Sequence, residues 1–263
     1  MTVPIGDSWT RIIAWLRVHA PADVDVFPAA DRDMISATAA QLGIAFPDQL
    51  VEFYQRLDGA NSGSVFPSPD DYDMAFIPMP LDEVLVNWSG QKQLVEVGQF
   101  DDCTPRSAAE IRSVWWDPGW IPFATNGGGD FLCVDSVPTA AGQIGQVISH
   151  SHETGEHRFL SRSLADYLQD LAKKLEDGQF VYDDKYGVIA ASAAIEEVQE
   201  QPDNVFTGMS EWHYANALSA AEQAFKNKDY ALCVAHLERF VERLDKLPAS
   251  RLAFARKKVA VAR

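Results

Sequence analysis

Apolar side chains near the N-terminus recur with the spacing of one helix face. The pattern predicts a helix that starts with Ser8 as its N-cap, stops at Pro21 and buries four side chains: Trp9, Ile12, Ile13 and Leu16. Such a stripe on a short helix needs an apolar surface to lie on, so this element belongs to a packed domain.

Two more amphipathic helices follow at short intervals. The second starts within residues 28–33, ends at Gly43 and turns three side chains to one face: Ile35, Ala39 and Leu42. Pro47 suits the first turn of the third helix, because its missing N–H would be unpaired there. That helix ends at Gly59 and carries the stripe Leu50, Phe53, Tyr54 and Leu57.

The middle of the chain alternates loops with further elements. Residues 60–73 have loop composition, residues 74–78 predict a strand, and residues 81–97 predict a helix. Ser163, with Asp166 three residues later, predicts the N-terminus of another helix that ends before Gly178.

Residues 120–135 combine two β-prone runs with a glycine-rich connection. Ile121 to Thr125 and Phe131 to Asp135 predict the strands of a hairpin, and Asn126 with three glycines predicts the turn. We expect Gly127, Gly128 and Gly129 to have positive φ angles. A phosphate cradle is the less favoured reading, because no Gly-Lys-Ser/Thr follows and a strand replaces the required helix.

A second hairpin is predicted from residues 145–152 and 157–161. If its turn has two residues, Thr154 and Gly155, then Glu153 faces Glu156, His152 faces His157, and His150 lies diagonally on the same face as the other two histidines. Three histidines on one face suggest zinc or nickel. The set depends on the assumed register, so we predict no metal and no cofactor.

The last third of the chain changes character. Residues 183–210 have the composition of a linker, and residues 211–263 predict a helical hairpin like a single tetratricopeptide unit, followed by a terminal helix. The predicted organisation is therefore an α+β domain at 1–182, with a mixed, largely antiparallel twisted sheet packed by helices, and a small helical appendage.

Several stretches of the first domain together resemble the SUKH superfamily. They are residues 42–59, which include Phe46-Pro47 and end in Leu57-Asp58-Gly59, residues 78–84, and residues 120–135, which include Asn126-Gly-Gly-Gly-Asp130. The resemblance covers about residues 8–178. It implies the same α+β architecture and a protein-binding role without catalysis. The family joins cell-wall assembly regulators of the Smi/Knr type with bacterial toxin-immunity proteins.

Charge is distributed unevenly along the chain. Residues 1–210 contain 12 Lys/Arg and 32 Asp/Glu, whereas residues 211–263 contain 10 and 6, so the whole chain has a net charge of −16 at pH 7. An acidic first domain repels nucleic acid and attracts a basic protein partner. Acidity that serves solubility alone is the competing explanation.

Other features limit the function classes. The sequence lacks a Gly-x-Ser-x-Gly elbow, a His-Glu-x-x-His motif, a Cys-x-x-Cys pair and a Walker motif, so we expect no enzyme. Three cysteines and no apolar leader predict reduced thiols in a cytoplasmic protein. No run has the roughly 20 apolar residues that span a bilayer. The sequence leaves the oligomeric state open.

The candidate partner-binding residues lie in two acidic segments and in the glycine-rich turn of the first hairpin. The first segment lies in the long loop, where three carboxylates flank one aromatic ring; the full set is Asp70, Asp71, Tyr72, Asp73, Asp101, Asp102 and Asp130. Among functions, the first hypothesis is an immunity protein that neutralises a basic toxin, for example a nuclease. The alternative is a regulatory adaptor of cell-wall or envelope assembly that binds envelope or signalling proteins. The least favoured hypothesis is an enzyme of unknown reaction.

Overall fold

A computed structural model describes residues 4–20, 25–62, 64–69, 74–183, 186–192, 217–219, 221–238, 240–241 and 244–261. The chain forms two compact units, residues 1–199 and 200–263. The domain boundaries predicted from the sequence stay a prediction, because most of residues 183–216 lie outside the described ranges.

A six-stranded sheet organises the first unit. Its order is β3-β5-β6-β7-β8-β4, and all neighbours are antiparallel except the pair of β4 and β8. The strands are β3 (Ile77–Pro78), β4 (Arg106–Ser107), β5 (Trp120–Thr125), β6 (Phe131–Asp135), β7 (Gln146–His150) and β8 (Glu156–Ser161). Two small antiparallel pairs belong to the same unit: β1 (Asp25–Val26) with β2 (Ala60–Ser62), and the hairpin of β9 (Phe180–Asp183) with β10 (Gly187–Ala190).

The described part of the same unit has five helices: α1 (Ile5–His19), α2 (Arg32–Leu42), α3 (Asp48–Tyr54), α4 (Leu81–Glu96) and α5 (Leu164–Glu176). Local chemistry sets several of their ends. Asp31 accepts a hydrogen bond from the Met34 N–H at the start of α2, and Ser163 does the same for Asp166 in α5. Gly43 ends α2 with a φ of 72°, as the sequence predicts.

The helix layer meets the sheet at Phe123. Its ring makes edge-to-face contacts with Phe53 of α3 and with Phe66, at centroid distances of 5.8 and 5.6 Å, and it also meets Tyr167 of α5. The Arg11 guanidinium forms two hydrogen bonds with the Glu176 carboxylate and so links α1 to α5. These contacts fix three helices against one face of the sheet.

Residues of β5, β6 and β7 are buried on both faces of the sheet. Side chains alternate along a strand, so Leu132 and Val134 point one way while Phe131 and Cys133 point the other. One face meets the helices, and the other is covered by the tryptophan-rich segment before β5. Both layers are therefore needed to bury the central strands.

The structure confirms the predicted fold class, an α+β unit with a largely antiparallel sheet packed by helices, and corrects some details. Helix α1 begins at Ile5 after Pro4, so Ser8 is a buried helix residue and not the N-cap. Proline suits this end because it has no N–H to leave unpaired. Strands β9 and β10 form a hairpin where the sequence placed the end of the domain and the start of the linker. Val188 of that hairpin is part of the core of the first unit.

The second unit contains α6 (Tyr230–Glu238), α7 (Lys246–Val261) and a helical stretch at residues 221–226. Its core consists of small and aliphatic side chains: Ala221, Ala224, Cys233, Leu237, Leu252 and Ala255. The predicted terminal helix starts four residues earlier than Ser250. Among the described residues, no helix is long and apolar enough to span a bilayer.

Replacing Phe123 with alanine should destabilise the first unit by about 3–5 kcal/mol, because it removes a buried ring and leaves a cavity between helices and sheet. Urea unfolding followed by tryptophan fluorescence measures this change. Val86→Ala at an exposed position of α4 is the matched control and should change stability by less than about 0.5 kcal/mol. Equal midpoints for the two variants would show that Phe123 does not join the layers.

Candidate functional site

The turn between β5 and β6 is held together by Asn126. Its side-chain carbonyl accepts hydrogen bonds from the backbone N–H of Gly128 (2.9 Å) and Asp130 (3.2 Å), and its amide donates to the Asp130 carboxylate (3.1 Å). The Thr125 hydroxyl accepts from the Gly127 N–H at 3.0 Å. Local side-chain hydrogen bonds of this kind replace the strand ladder within a turn, so residues 125–130 have a defined conformation.

Asp130 connects this turn to the next connection along the sheet. One of its carboxylate oxygens accepts from the His152 N–H at 2.8 Å and lies 2.8 Å from Nδ1 of the same histidine. The Asp130 side chain is only 17% exposed. Its carboxylate therefore joins two loops at one end of the sheet, in addition to any contact with a partner.

The glycines of the turn differ from the prediction. Gly127 and Gly129 have φ angles of 74° and 109°, but Gly128 is not among the residues with positive φ. A Cβ at Gly128 would make only ordinary contacts with Asn126, whereas one at Gly129 would lie 3.0 Å from the His152 ring. Asn126 explains the difference, because its hydrogen bond to the Gly128 N–H sets the direction of that peptide.

The predicted register of the second hairpin is wrong. His150 pairs with His157, and residues 151–155 form a five-residue connection in place of the assumed two-residue turn. His152 therefore lies in the loop beside Asp130 and not opposite His157, and Glu153 does not face Glu156 across the strands. A bulge between Val147 and Ile148 shifts the pairing further along.

His150 and His157 lie in a buried cluster of aromatic rings. Their rings stack at a centroid distance of 5.1 Å, and the His150 ring also stacks on Phe131. Three indoles approach the two imidazoles edge-on or tilted: Trp115, Trp116 and Trp120. The tryptophans that the sequence places before the hairpin thus complete a core on this face of the sheet.

Burial keeps both histidines neutral. It lowers the pKa of His150 well below 6.5, and the nearby His157 and His152 lower that pKa further. Burial also lowers the pKa of His157, although its Nε2 lies 3.0 Å from the Val114 carbonyl oxygen, and this contact acts in the opposite direction. Neither ring nitrogen of His150 has a hydrogen-bond partner among the described residues. A charge here has no compensating group nearby.

The described residues do not form a metal-binding site. No group of three or more His, Cys, Asp or Glu side chains there is arranged to hold an ion. The predicted histidine set fails because the true register separates His152 from His150 and His157. Burial raises the pKa of the Cys133 thiol well above its usual value, and the nearby Asp135 adds to this, so the thiolate is disfavoured.

A cleft lies at the same end of the sheet, where Ser149 and His150 of β7 and Arg158 of β8 border it. This β7–β8 cleft has a volume of about 300 Å³. Its walls come from three distant chain segments and include Pro69, Phe76, Asp130, Glu153, Glu156 and Arg158. The Arg158 guanidinium donates to the Pro69 carbonyl oxygen at 3.0 Å and lies 3.6 Å from the Glu156 carboxylate. The cleft thus combines three carboxylates with one guanidinium.

The structure places the predicted acidic residues in separate regions. Asp130 lines the β7–β8 cleft, whereas Asp101 and Asp102 are exposed in the segment after α4 and do not line it. The preceding Phe100 stacks on Trp115, on the other face of the sheet. Asp70, Asp71, Tyr72 and Asp73 lie outside the described residues. Their role as binding residues stays a prediction.

Sequence reasoning missed Glu153, Glu156 and Arg158 as members of one site. The alternation of residues 156–158 carries the signal: His157 points to the buried cluster, so its two charged neighbours point to the opposite face. Pro69 has no such signal, because its approach to Arg158 spans 89 residues of chain.

Comparison with known proteins points to one family. The profile of the SMI1 / KNR4 family (SUKH-1) matches residues 29–170, which include the β5–β6 turn and the β7–β8 cleft. A cell wall biosynthesis/cell cycle regulator, smi1, of Schizosaccharomyces pombe is 35% identical over 200 residues, covering 69% of this chain and 38% of the relative. A glucan synthesis regulatory protein of Neurospora crassa is 23% identical over 212 residues, covering 68% and 40%.

A third relative, described as a KNR4/SMI1 homolog of Yarrowia lipolytica, is 32% identical over 93 residues, which are 35% of this chain and 13% of that protein. The chain therefore spans about two fifths of the length of the first two relatives, and less of the third. The relatives contain much sequence with no counterpart in these alignments.

Replacing Gly129 with alanine should destabilise the protein by about 1–3 kcal/mol. Alanine is strained at the positive φ of this position, and its Cβ would also crowd the His152 ring. Gly128→Ala should change stability by less than about 0.5 kcal/mol, because this position has no positive φ and a Cβ there makes only ordinary contacts. Thermal unfolding of both variants compares the two positions within one turn. A larger loss at Gly128 than at Gly129 would contradict the described turn.

Stability should fall as the pH drops below about 6.5, where an unfolded histidine takes up a proton. The folded protein resists protonation of His150, so the stability gained from its neutral form is complete above that pH and is lost below it. We expect His150→Phe to flatten the fall in melting temperature between pH 7.5 and 5. The exposed His19→Gln variant is the control and should keep the parent slope. An unchanged slope in His150→Phe would contradict the assignment.

Proposed function

Because the chain belongs to the SMI1 / KNR4 family (SUKH-1), we propose that it is a regulatory protein that acts by binding other proteins of cell-wall or envelope synthesis. The single observation that carries this proposal is the match of the family profile to most of the described α+β unit, together with relatives described as regulators of wall and glucan synthesis. A regulator of this kind works by forming and releasing complexes.

The relatives support the regulatory function more than the toxin-binding function, which was the first hypothesis from the sequence. Those named above are described as regulators or as family homologs, and none of the three is described as an immunity protein. We therefore place the regulatory role before the neutralisation of a toxin. The toxin-binding role keeps one supporting observation, the net charge of −16, which also suits a basic regulatory partner.

The partner surface that we propose centres on the β7–β8 cleft. Asp130, Glu153 and Glu156 give it an acidic wall, and Pro69 and Phe76 give it apolar area. The Asp130–His152 contact fixes the two loops that form this end of the sheet, so the wall needs little ordering when a partner binds. A lysine or arginine side chain of the partner fits this environment.

The acidic residues other than those of the cleft act at longer range in this proposal. Asp101 and Asp102, with Asp70, Asp71 and Asp73 near Tyr72, add negative charge to the first unit and so speed the approach of a basic partner. Their effect should decrease as the ionic strength rises, because salt screens charges separated by more than a Debye length of about 8–10 Å. Contact residues in the cleft should instead change the dissociation rate.

A capture experiment tests the proposal. The full chain is immobilised, native lysate is passed over it, and bound proteins are identified by mass spectrometry. We expect proteins of wall or glucan synthesis, or of signalling to them, and about tenfold less capture by Glu153→Gln/Glu156→Gln because the cleft loses its acidic wall. The control Glu96→Gln/Glu110→Gln removes the same charge elsewhere and should capture as the parent does.

The outcome separates the candidate functions. One basic toxin bound at equal stoichiometry would favour the immunity role over the regulatory one. Equal loss of capture in the cleft pair and the control pair would show that net charge, and not the cleft, holds the partner. Failure of the parent chain to enrich any protein would contradict a binding role.

A further inference from the structure

A second cleft lies between α2 and α3, far along the chain from the β7–β8 cleft. This α2–α3 groove has a volume of about 460 Å³. Its floor is apolar and consists of Ile35 and Ala39 from α2, with Phe46 and Val51 from the other side. Ile35 is buried and the other three are half-buried, so part of this apolar surface faces solvent.

Helix α3 presents two different faces. Leu50, Phe53 and Tyr54 belong to the core, whereas the groove face carries positions 48, 51, 52 and 55, which follow the i, i+3, i+4, i+7 spacing. On this face Val51 lies among polar side chains, including the carboxylates of Asp48 and Glu52 one turn apart. The groove therefore has an apolar floor beside an acidic wall.

The charged groups of the groove form no ion pairs with the other described residues. Within the described part of the chain, neither Asp48 nor Glu52 forms an ion pair, and Arg32 on the opposite wall forms none either. Asp48 is accounted for by the dipole of α3, because an acid in the first turn is favourable. Glu52 has no such role, and Arg32 lies in the first turn of α2, where a cation is unfavourable.

We propose that the α2–α3 groove binds an amphipathic helical segment of a partner protein, with lysine or arginine beside its apolar stripe. The apolar stripe would cover Ile35, Ala39 and Val51, and the cations would pair with Asp48 and Glu52. This inference rests on the proposed function, because it gives a binding regulator a second contact and defines the chemistry of the segment that occupies it.

Charge argues for this occupant over the first unit of a second copy of the chain. Residues 1–210 have a balance of −20, so another first unit would bring like charge to the acidic wall. A small apolar molecule would use the floor and leave both carboxylates without a partner. A cationic amphipathic helix would cover the apolar floor and pair with the carboxylates of the acidic wall at the same time.

Two synthetic peptides test the groove without the native partner. One forms a helix with leucines at i, i+3 and i+7 and lysines along one flank, and the other has glutamates in place of the lysines. Fluorescence anisotropy measures their binding to the full chain. We expect the lysine peptide to bind at least about tenfold more tightly than the glutamate peptide.

Variants then locate the binding. Ser36→Trp fills the groove without changing charge, and we expect it to weaken binding of the lysine peptide about tenfold. Asp48→Asn/Glu52→Gln removes the acidic wall and should weaken it about fivefold, while the matched pair Glu96→Gln/Glu110→Gln should change it less than about twofold. Circular dichroism confirms that each variant is folded.

Two results would overturn the inference: parent affinity in Ser36→Trp, or equal weakening by the groove pair and the matched pair. The same Ser36→Trp variant also goes through the lysate capture. Undiminished capture by Ser36→Trp would remove the groove from partner binding and leave the proposed function standing. A parent chain that captures nothing but binds the lysine peptide through the groove would contradict the proposed function and keep the groove.

Discussion

Burial of both faces of the three central strands is the constraint on which the first unit depends. Every residue of β5, β6 and β7 is buried, so the sheet cannot present a solvated face at its centre. Helices α1, α3 and α5 supply one cover, and the segment with Trp115 and Trp116 supplies the other. At the strand ends, polar groups are satisfied internally, as the Gln146 amide donates to the Asp135 carboxylate at 2.8 Å.

The elements that the sequence predicts well are those set by local chemistry. The stripe of Leu50, Phe53 and Tyr54, the Ser163 cap and the glycine-rich turn each depend on residues within one or two helical turns, so a short window contains the whole signal. The family resemblance, read from the same stretches, agrees with the profile that matches residues 29–170.

The predictions that failed concern structural features that depend on residues far apart in the sequence. The register of β7 and β8 depends on how Gly155 packs against Trp115 and on how His150 enters the aromatic cluster, and neither contact is local. Strands β1, β3 and β4 have two residues each, too few to show a period. The β9–β10 hairpin looks like a linker because its half-exposed strands become strands only by pairing with each other.

In the candidate site, too, the features set by local sequence were predicted and those set by distant residues were not. Asp130 was chosen for its charge, but the structure gives it a second role, the contact with His152 that holds two loops together. The acidic wall of the β7–β8 cleft was not predicted as a unit, because Asp130, Pro69 and the stretch with Glu153 and Glu156 come from three separate segments. Long-range assembly of this kind places binding surfaces on loops that a rigid sheet positions.

The edge strands of the six-stranded sheet limit the ways in which this protein can bind a partner. Its outermost strands, β3 and β4, are two residues long, and β3 contains Pro78, which has no N–H to offer a neighbouring strand. An incoming peptide therefore finds almost no backbone ladder to extend, and recognition by strand addition is disfavoured. The same short edge strands leave little unpaired backbone for edge-to-edge aggregation of this sheet. The binding that we propose at this sheet therefore relies on side chains, which single substitutions can adjust.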